Sequence, residues 1–557
     1  MSLPARALGL APWALRLGLG LPIAAGLLGT LWPAVKGQGF QALADWAGLP
    51  RAVALSLGTG LASTLAALVI TLLLIGCLAG TRGFATFRHL LSPLLSLPHA
   101  AAALGLAFLI APSGWIARAL SPWATGWADP PDLLIVNDPM GLALTAGLVA
   151  KEVPFLLLMA IAALPQTDAP RRAAIAASLG YGRAMGFALT TLPALYARLR
   201  LPVFAVLAYG MTNVDMALIL GPSLPPPLAV QITLWMAAPG LAHLPTAAAG
   251  AVAQLALVGA AIGLWQGIEW LAAPLVPALA LRGLRGRAFD APLSGIARSL
   301  ALLIALGLGT GLAGLALWSF AGLWQFPDAL PDSLTLKTWA KAAPDLTATS
   351  LTTLGIALAA SLAALALTLA VLEAEARRAR PLRGEPLIYL PLILPQIAFL
   401  PGLQIMALTL GAKGNAATVA AAHLVFVLPY VWLSLAPSYR AWDARIGLTA
   451  AAMGVGPARI FWQLRLPMLL APVLTALAVG IAVSVGQYLP SLMLGGGRVE
   501  TLTTEAVALA SGGNRRLIGA VALMQMVLPA LGFGLALALP RLVFANRRGM
   551  LAERGRA

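Results

Sequence analysis

A small set of polar side chains interrupts the long apolar stretches of this 557-residue chain. Lys151 and Glu152 stand side by side, just ahead of Pro154. An ionisable group within an apolar span is costly and marks a functional candidate. Adjacent residues on a helix do not face each other, so each needs its own partner, on another helix or in a solute. Asn213 and Asp215 lie in one apolar segment, and Ser484 and Gln487 in a corresponding later one. These four either line a pathway or pair structurally. His99 and Gln396 each follow a proline, whose ring frees a backbone carbonyl, and are matched candidates for a pathway. The chemistry open to such groups is non-covalent: hydrogen bonds and charge placed along a route through apolar surroundings.

Covalent chemistry finds no support. No Gly-x4-Gly-Lys-Ser/Thr phosphate loop occurs, so the chain does not cradle ATP in that manner. No HExxH, Ser/His/Asp or paired-carboxylate arrangement shares a loop. Four His residues are scattered and one cysteine, Cys77, sits in an apolar run, which leaves neither a metal cluster nor a disulfide framework. The expectation is no catalysis, no metal and no cofactor in this chain alone.

The elements that must hold these residues are membrane spans. The chain is 60% hydrophobic and 10% charged, with mean hydropathy +0.89. That is too little charge to cover a soluble surface. Apolar runs of about 20 residues, long enough to cross a bilayer core, recur throughout. Twelve such segments lie near 13–32, 52–79, 92–111, 141–164, 200–220, 243–270, 298–322, 348–372, 387–411, 416–438, 470–494 and 517–543. The first reads as a span rather than a cleaved signal. The net charge of +17 is distributed as arginines in short loops, not as a basic tail for nucleic acid. With the N-terminus in the cytoplasm, the cytoplasmic loops, tails and adjoining span ends carry about 26 of the 36 Lys+Arg and the external ones about 9. Arg547, Arg548, Arg554 and Arg556 then place the C-terminus inside as well. Three external loops, 112–140, 221–242 and 323–347, are long, and Trp115, Trp123, Trp127, Trp318 and Trp324 suit an interfacial belt.

The spans repeat. Gly180-Tyr181-Gly182, Phe187 and Leu192-Pro193 recur as Gly454-Val455-Gly456, Phe461 and Leu466-Pro467, each 274 residues on (454 − 180). Leu97-Pro98-His99 and Gly105 recur as Leu394-Pro395-Gln396 and Gly402 at offset 297 (402 − 105). The offset falls because the first copy has a long loop near 112–140 where the second is short, and loops absorb insertions that packed spans do not. The expected fold is an all-α polytopic membrane protein of about twelve transmembrane helices in two parallel six-helix repeats. The repeats cover 1–281 and 299–557, joined by a cytoplasmic linker, 282–298, with a pathway between them.

Each Gly-x-Gly turn lies in a cytoplasmic loop, about 168–198 and about 440–468, preceded by small residues that could slot into a groove. Glycine permits a tight turn and close approach of another backbone. Leu-Pro is expected to end the second short helix and return the chain to the membrane.

At these residues the sequence resembles the coupling loop of bacterial binding-protein-dependent ABC importer permeases. The family pattern is roughly Glu-Ala-Ala, three residues, Gly, then a stretch ending in an aliphatic residue and Leu-Pro. Ala176, Gly180, Leu192 and Pro193 match in the first copy, and Ala450, Gly454, Leu466 and Pro467 in the second, with Gly182 and Gly456 completing the turns. Ala174 and Leu448 replace the leading Glu. The resemblance covers nearly the whole chain and looks most like fused two-half permeases of the iron(III), thiamine, and polyamine or sulfate-type importers. It implies a permease subunit of the bacterial inner membrane that moves a solute delivered by an external solute-binding protein. Its two loops would contact a cytoplasmic ATPase dimer, and ATP would be bound by those partner subunits. Membrane lipid is the other partner expected; nucleic acid is not.

An ion-gradient-driven secondary transporter fits twelve spans and parallel halves equally well. Its commonest family carries an Asp-Arg-rich loop between spans two and three, whereas the loop here, Gly80 to Arg88, holds no acid. A membrane enzyme would require acids or histidines clustered at one face.

Overall fold

The computed structural model describes residues 5–91, 97–240, 242–378 and 385–545. The C-terminal arginines from Arg547 onward lie outside the described residues. Ten helices are long and apolar enough to cross a membrane, and two bent pairs raise the number to twelve. The pairs are Pro386–Ile393 with Gln396–Thr409, bent by 98°, and Pro457–Met468 with Leu470–Val485, bent by 75°. The first bend falls at Leu394-Pro395, because a residue before proline is pushed out of the helical region; Leu394 is extended at ψ 122°.

Two segments expected as continuous spans are broken. The Leu192–Thr212 helix stops at Asn213, and a new helix, Asp215–Leu220, begins. The Asn213 side chain accepts the Met216 N–H at 2.8 Å, so a local cap replaces continuation of the helix. The Leu470–Val485 helix likewise stops ahead of Leu489–Gly495, with Pro490 in the first turn of the new piece.

Stretches read as external loops hold buried half-helices, Leu228–Ala237 and Leu502–Ala510. At ten and nine residues they are too short to register as spans. Leu228 N–H donates to Ser56 Oγ at 3.0 Å and Leu502 N–H to Thr353 Oγ1 at 2.9 Å. Both pairs keep the repeat offsets, 502 − 228 = 274 and 353 − 56 = 297. The carbonyls freed by the two helix breaks are also met in parallel. Gln254 Nε2 donates to Met211 O at 3.1 Å, and Gln525 Nε2 donates to Thr503 Oγ1, whose hydroxyl donates to Val485 O. Away from water a freed carbonyl must find such a donor.

Helix packing follows the repeat and crosses it. The Ala5–Lys36 helix packs on Gln396–Thr409, and Asp290–Phe320 packs on His99–Ile110. Glycine makes both crossings close. A Cβ on Gly402 would lie 2.0 Å from Gly26 O, and one on Gly105 3.1 Å from Gly311 C. Small residues at crossings are how helices gain contact in lipid. The first span of each sequence half thus packs on the third span of the other.

Two of the expected belt tryptophans face protein rather than lipid. Trp318 and Trp324 are buried and stacked at 4.2 Å, with the Arg118 guanidinium over both rings. Stacking and cation–π attraction draw them inward. Trp123 remains 76% exposed.

Candidate functional site

Each Gly-x-Gly motif joins two short helices: Ala169–Ser178 to Arg183–Gly186, and Ala444–Ala452 to Pro457–Ile460. Gly180 and Gly454 both adopt left-handed backbone, φ +85° and +82°. An L side chain there is strained, which is the physical demand behind this glycine. Ala176 and Ala450 are buried under the turns. Ile175 and Leu179 on the first copy, and Leu448 and Met453 on the second, stand exposed beside small alanines. The result is two apolar knobs of like shape.

A π-helical turn follows each pair, Phe187–Thr191 and Phe461–Arg465. Leu192-Pro193 then begins the Leu192–Thr212 helix rather than ending one. That helix runs on without a break from Arg183 through the π-helical turn to Thr212. Leu466-Pro467 sits in the short Leu466–Met468 helix, just before the 75° bend.

The two turns are anchored differently, which sequence reading missed. Arg183 donates to the carbonyls of Gly76 and Ala79, and Gly76 leaves room for the Phe187 ring. At the position 297 residues beyond Gly76 stands Glu373, buried, which accepts from Arg377, Tyr439 and Arg465. Arg465 also lies 4.3 Å from the Trp442 ring centroid. Nearby, Arg440 bridges Glu375 and Glu385. Burial alone would raise the Glu385 carboxyl, but hydrogen bonds from Arg440 and Trp432 outweigh it and hold it below its usual value. Charge pairs spaced across three helices could have been suspected only with the fold in hand.

The polar residues gather near the helix breaks. Asn213 Nδ2 donates to Asp215 Oδ1 at 2.7 Å and to the Tyr209 hydroxyl. The His99 ring lies 4.7 Å from Tyr209, and His99 Nε2 is 4.0 Å from Glu152. Lys151 Nζ donates to Leu97 O at 2.5 Å. Gln396 and Gln487 bond each other at 3.1 Å. Ser484 stands apart from this group: it bonds His423 Nδ1 at 2.8 Å, while His423 Nε2 meets Ser491. Asp215, Asn213, Glu152 and Lys151 are buried, while His99, Gln396 and Gln487 are partly exposed. Such an arrangement can pass or hold a solute by hydrogen bonds. Among the described residues no group of His, Cys, Asp and Glu could hold a metal ion.

No family model matches the chain. It is 30% identical over 552 residues to the inner membrane ABC transporter permease protein YnjC of Escherichia coli, covering 97% of each chain. It is 31% identical over 144 residues to the molybdenum transport system permease protein ModB of Mycobacterium tuberculosis and of Mycobacterium bovis, covering 24% of this chain and 54% of theirs. An ion-gradient carrier is disfavoured by these likenesses. With the full-length match added to its many apolar helices, the chain belongs to the ABC transporter permeases, as a multi-pass inner-membrane transport subunit.

Proposed function

We propose that the chain is the permease of a binding-protein-dependent importer, two six-span halves (1–281 and 299–557) in one polypeptide. The observation that carries this reading is the paired knob: two left-handed glycines, 274 residues apart, each presenting an exposed apolar face. Each knob docks one subunit of a separate ATPase dimer, which binds and hydrolyses ATP. The solute, delivered by an external binding protein, passes between the halves along His99, Asn213, Asp215, Gln396 and Gln487. Both termini and both knobs face the cytoplasm, supported by the arginine distribution.

Co-purification with its partner ATP-binding-cassette ATPase, followed by an ATP hydrolysis assay, tests the docking. Wild type should retain the ATPase, while Gly180→Asp and Gly454→Asp should each lose it and still yield a folded membrane protein. A variant that keeps wild-type affinity removes its knob from the interface. Orientation is read by reporters fused near Asp290, expected inside, and near Asp132, expected outside; a cytoplasmic signal at Asp132 overturns the span count.

A further inference from the structure

The stretch joining the two sequence halves is built into the first knob. Gly182 N–H donates to the Arg285 carbonyl at 2.7 Å. Asp290 accepts the Arg183 N–H at 2.8 Å and the Ala184 N–H at 3.0 Å. These are the first two amides of the Arg183–Gly186 helix, which Gly182, having no side chain, cannot cap itself. Two glycines let the backbones nest. A Cβ on Gly182 would lie 2.6 Å from Asp290 Oδ2 and 2.9 Å from Arg287 Cα, and one on Gly286 2.9 Å from Met185 Cβ. Nor is Asp290 a linker residue. The stretch read as linker to residue 298 becomes helix at Asp290, where the Asp290–Phe320 span starts.

The second knob lacks this arrangement. A Cβ on Gly456 would meet nothing within 4 Å among the described residues. Pro457 fills the first helical position and has no N–H to satisfy. Its anchor, Arg465 on Glu373, lies within its own sequence half. The first knob is therefore bonded on one side to the Leu49–Leu78 helix, through Arg183, and on the other to the first span of the second half, through Asp290.

We propose that Asp290 is a positioning residue that braces the first ATPase-docking knob to the first span of the second half. The two knobs are then mechanically unlike. Movement imposed at Gly180 is passed to the Leu192–Thr212 and Asp290–Phe320 helices together, hence to both halves. Movement imposed at Gly454 enters through hydrogen bonds to Glu373 in its own half, and reaches the first half by packing of the Lys337–Arg378 helix on Ala5–Lys36 rather than by a bonded brace. The proposal rests on the docking reading above.

Hydrogen exchange on the permease–ATPase complex, with and without a non-hydrolysable ATP analogue, tests it. In wild type the analogue should change exchange in Leu192–Thr212 and at the start of Asp290–Phe320 together. Asp290→Ala should speed exchange at the Arg183 and Ala184 amides. It should also abolish the response in Asp290–Phe320 while leaving the one in Leu192–Thr212. Asp290→Asn, which keeps one acceptor oxygen, should restore part of the response, which a merely misfolded variant would not show. A nucleotide response in Asp290–Phe320 that survives Asp290→Ala, or Arg183 and Ala184 amides that exchange as in wild type, overturns the brace. Failure of the wild-type permease to hold the ATPase would instead refute docking, and the brace with it.

Discussion

Gly454→Ala isolates the backbone demand of an ATPase-docking knob. Gly454 sits at φ +82° with nothing within 4 Å of a Cβ among the described residues, so alanine meets no steric contact there. What remains is the cost of left-handed backbone for an L residue, about 1–2 kcal/mol. The free loop then leaves the docking shape for others, and the apparent affinity falls by the fraction lost. That cost corresponds to about 5- to 30-fold weaker ATPase binding. Asparagine tolerates this backbone better than alanine, so Gly454→Asn should recover most of the loss. Gly180→Ala should weaken binding similarly, because the nearest atom, Arg285 Nη1 at 2.8 Å, ends a flexible side chain. Gly355→Ala, in an open site within a long helix, serves as the control. The assay is titration of the purified ATPase onto the permease in lipid nanodiscs. Wild-type affinity in Gly454→Ala, or equal losses for Ala and Asn, would refute the argument that the left-handed turn is what the ATPase reads.

Three further outcomes follow from other parts of the molecule. Glu373→Gln removes the charge that pairs with half-buried Arg377 and with Arg465, only 13% exposed; a loss of about 3–5 kcal/mol should appear as a lower melting temperature, and an unchanged one would show the anchor idle. Gly402→Ala puts a methyl against Gly26 O, Thr30 N and Gly29 C, all backbone, so the helices must part at a cost of at least about 1–3 kcal/mol; wild-type thermal stability would contradict the crossing. Asp215→Cys in a Cys77→Ala background should react with a water-soluble thiol reagent added outside, faster when the ATP-bound state is trapped; no labelling in any state would make Asp215 a structural residue.

Long periodic features were legible in the residues, and short or cross-chain ones were not. The spans announced themselves through runs of apolar residues, and the repeat through glycines and prolines whose backbone demands keep register. Broken helices escaped detection because the Asn213 side-chain cap and the Gly486 end of Leu470–Val485 act at single residues, which composition averages away. The half-helices Leu228–Ala237 and Leu502–Ala510 are shorter than a span, and their hydroxyl caps, Ser56 and Thr353, lie 172 and 149 residues away. Of the polar candidates, Gln396 and Gln487 come together, whereas the His423 that holds Ser484 gave no sign in the sequence. The asymmetry between knobs was invisible for a similar reason: it rests on contacts between Gly182, Gly286 and Asp290 that become neighbours only in three dimensions.

The exchanged first spans set a schedule for biosynthesis. Gly29 must wait for Gly402, 402 − 29 = 373 residues later, before its crossing can close. At about 5–20 residues per second that is roughly 20–75 s of translation with the Ala5–Lys36 helix in the bilayer lacking its main contact. Only 28% of its apolar 18-residue stretch is buried even in the finished protein, so lipid can cover most of it during the delay. The Asp290–Phe320 helix faces no such wait, because His99–Ile110 is already made when it emerges. Assembly is therefore one-sided in time although the architecture is repeated in space, and a ribosome stalled before Gly402 would leave the first span resting on Leu244–Ala272 and Lys337–Arg378 without its main crossing.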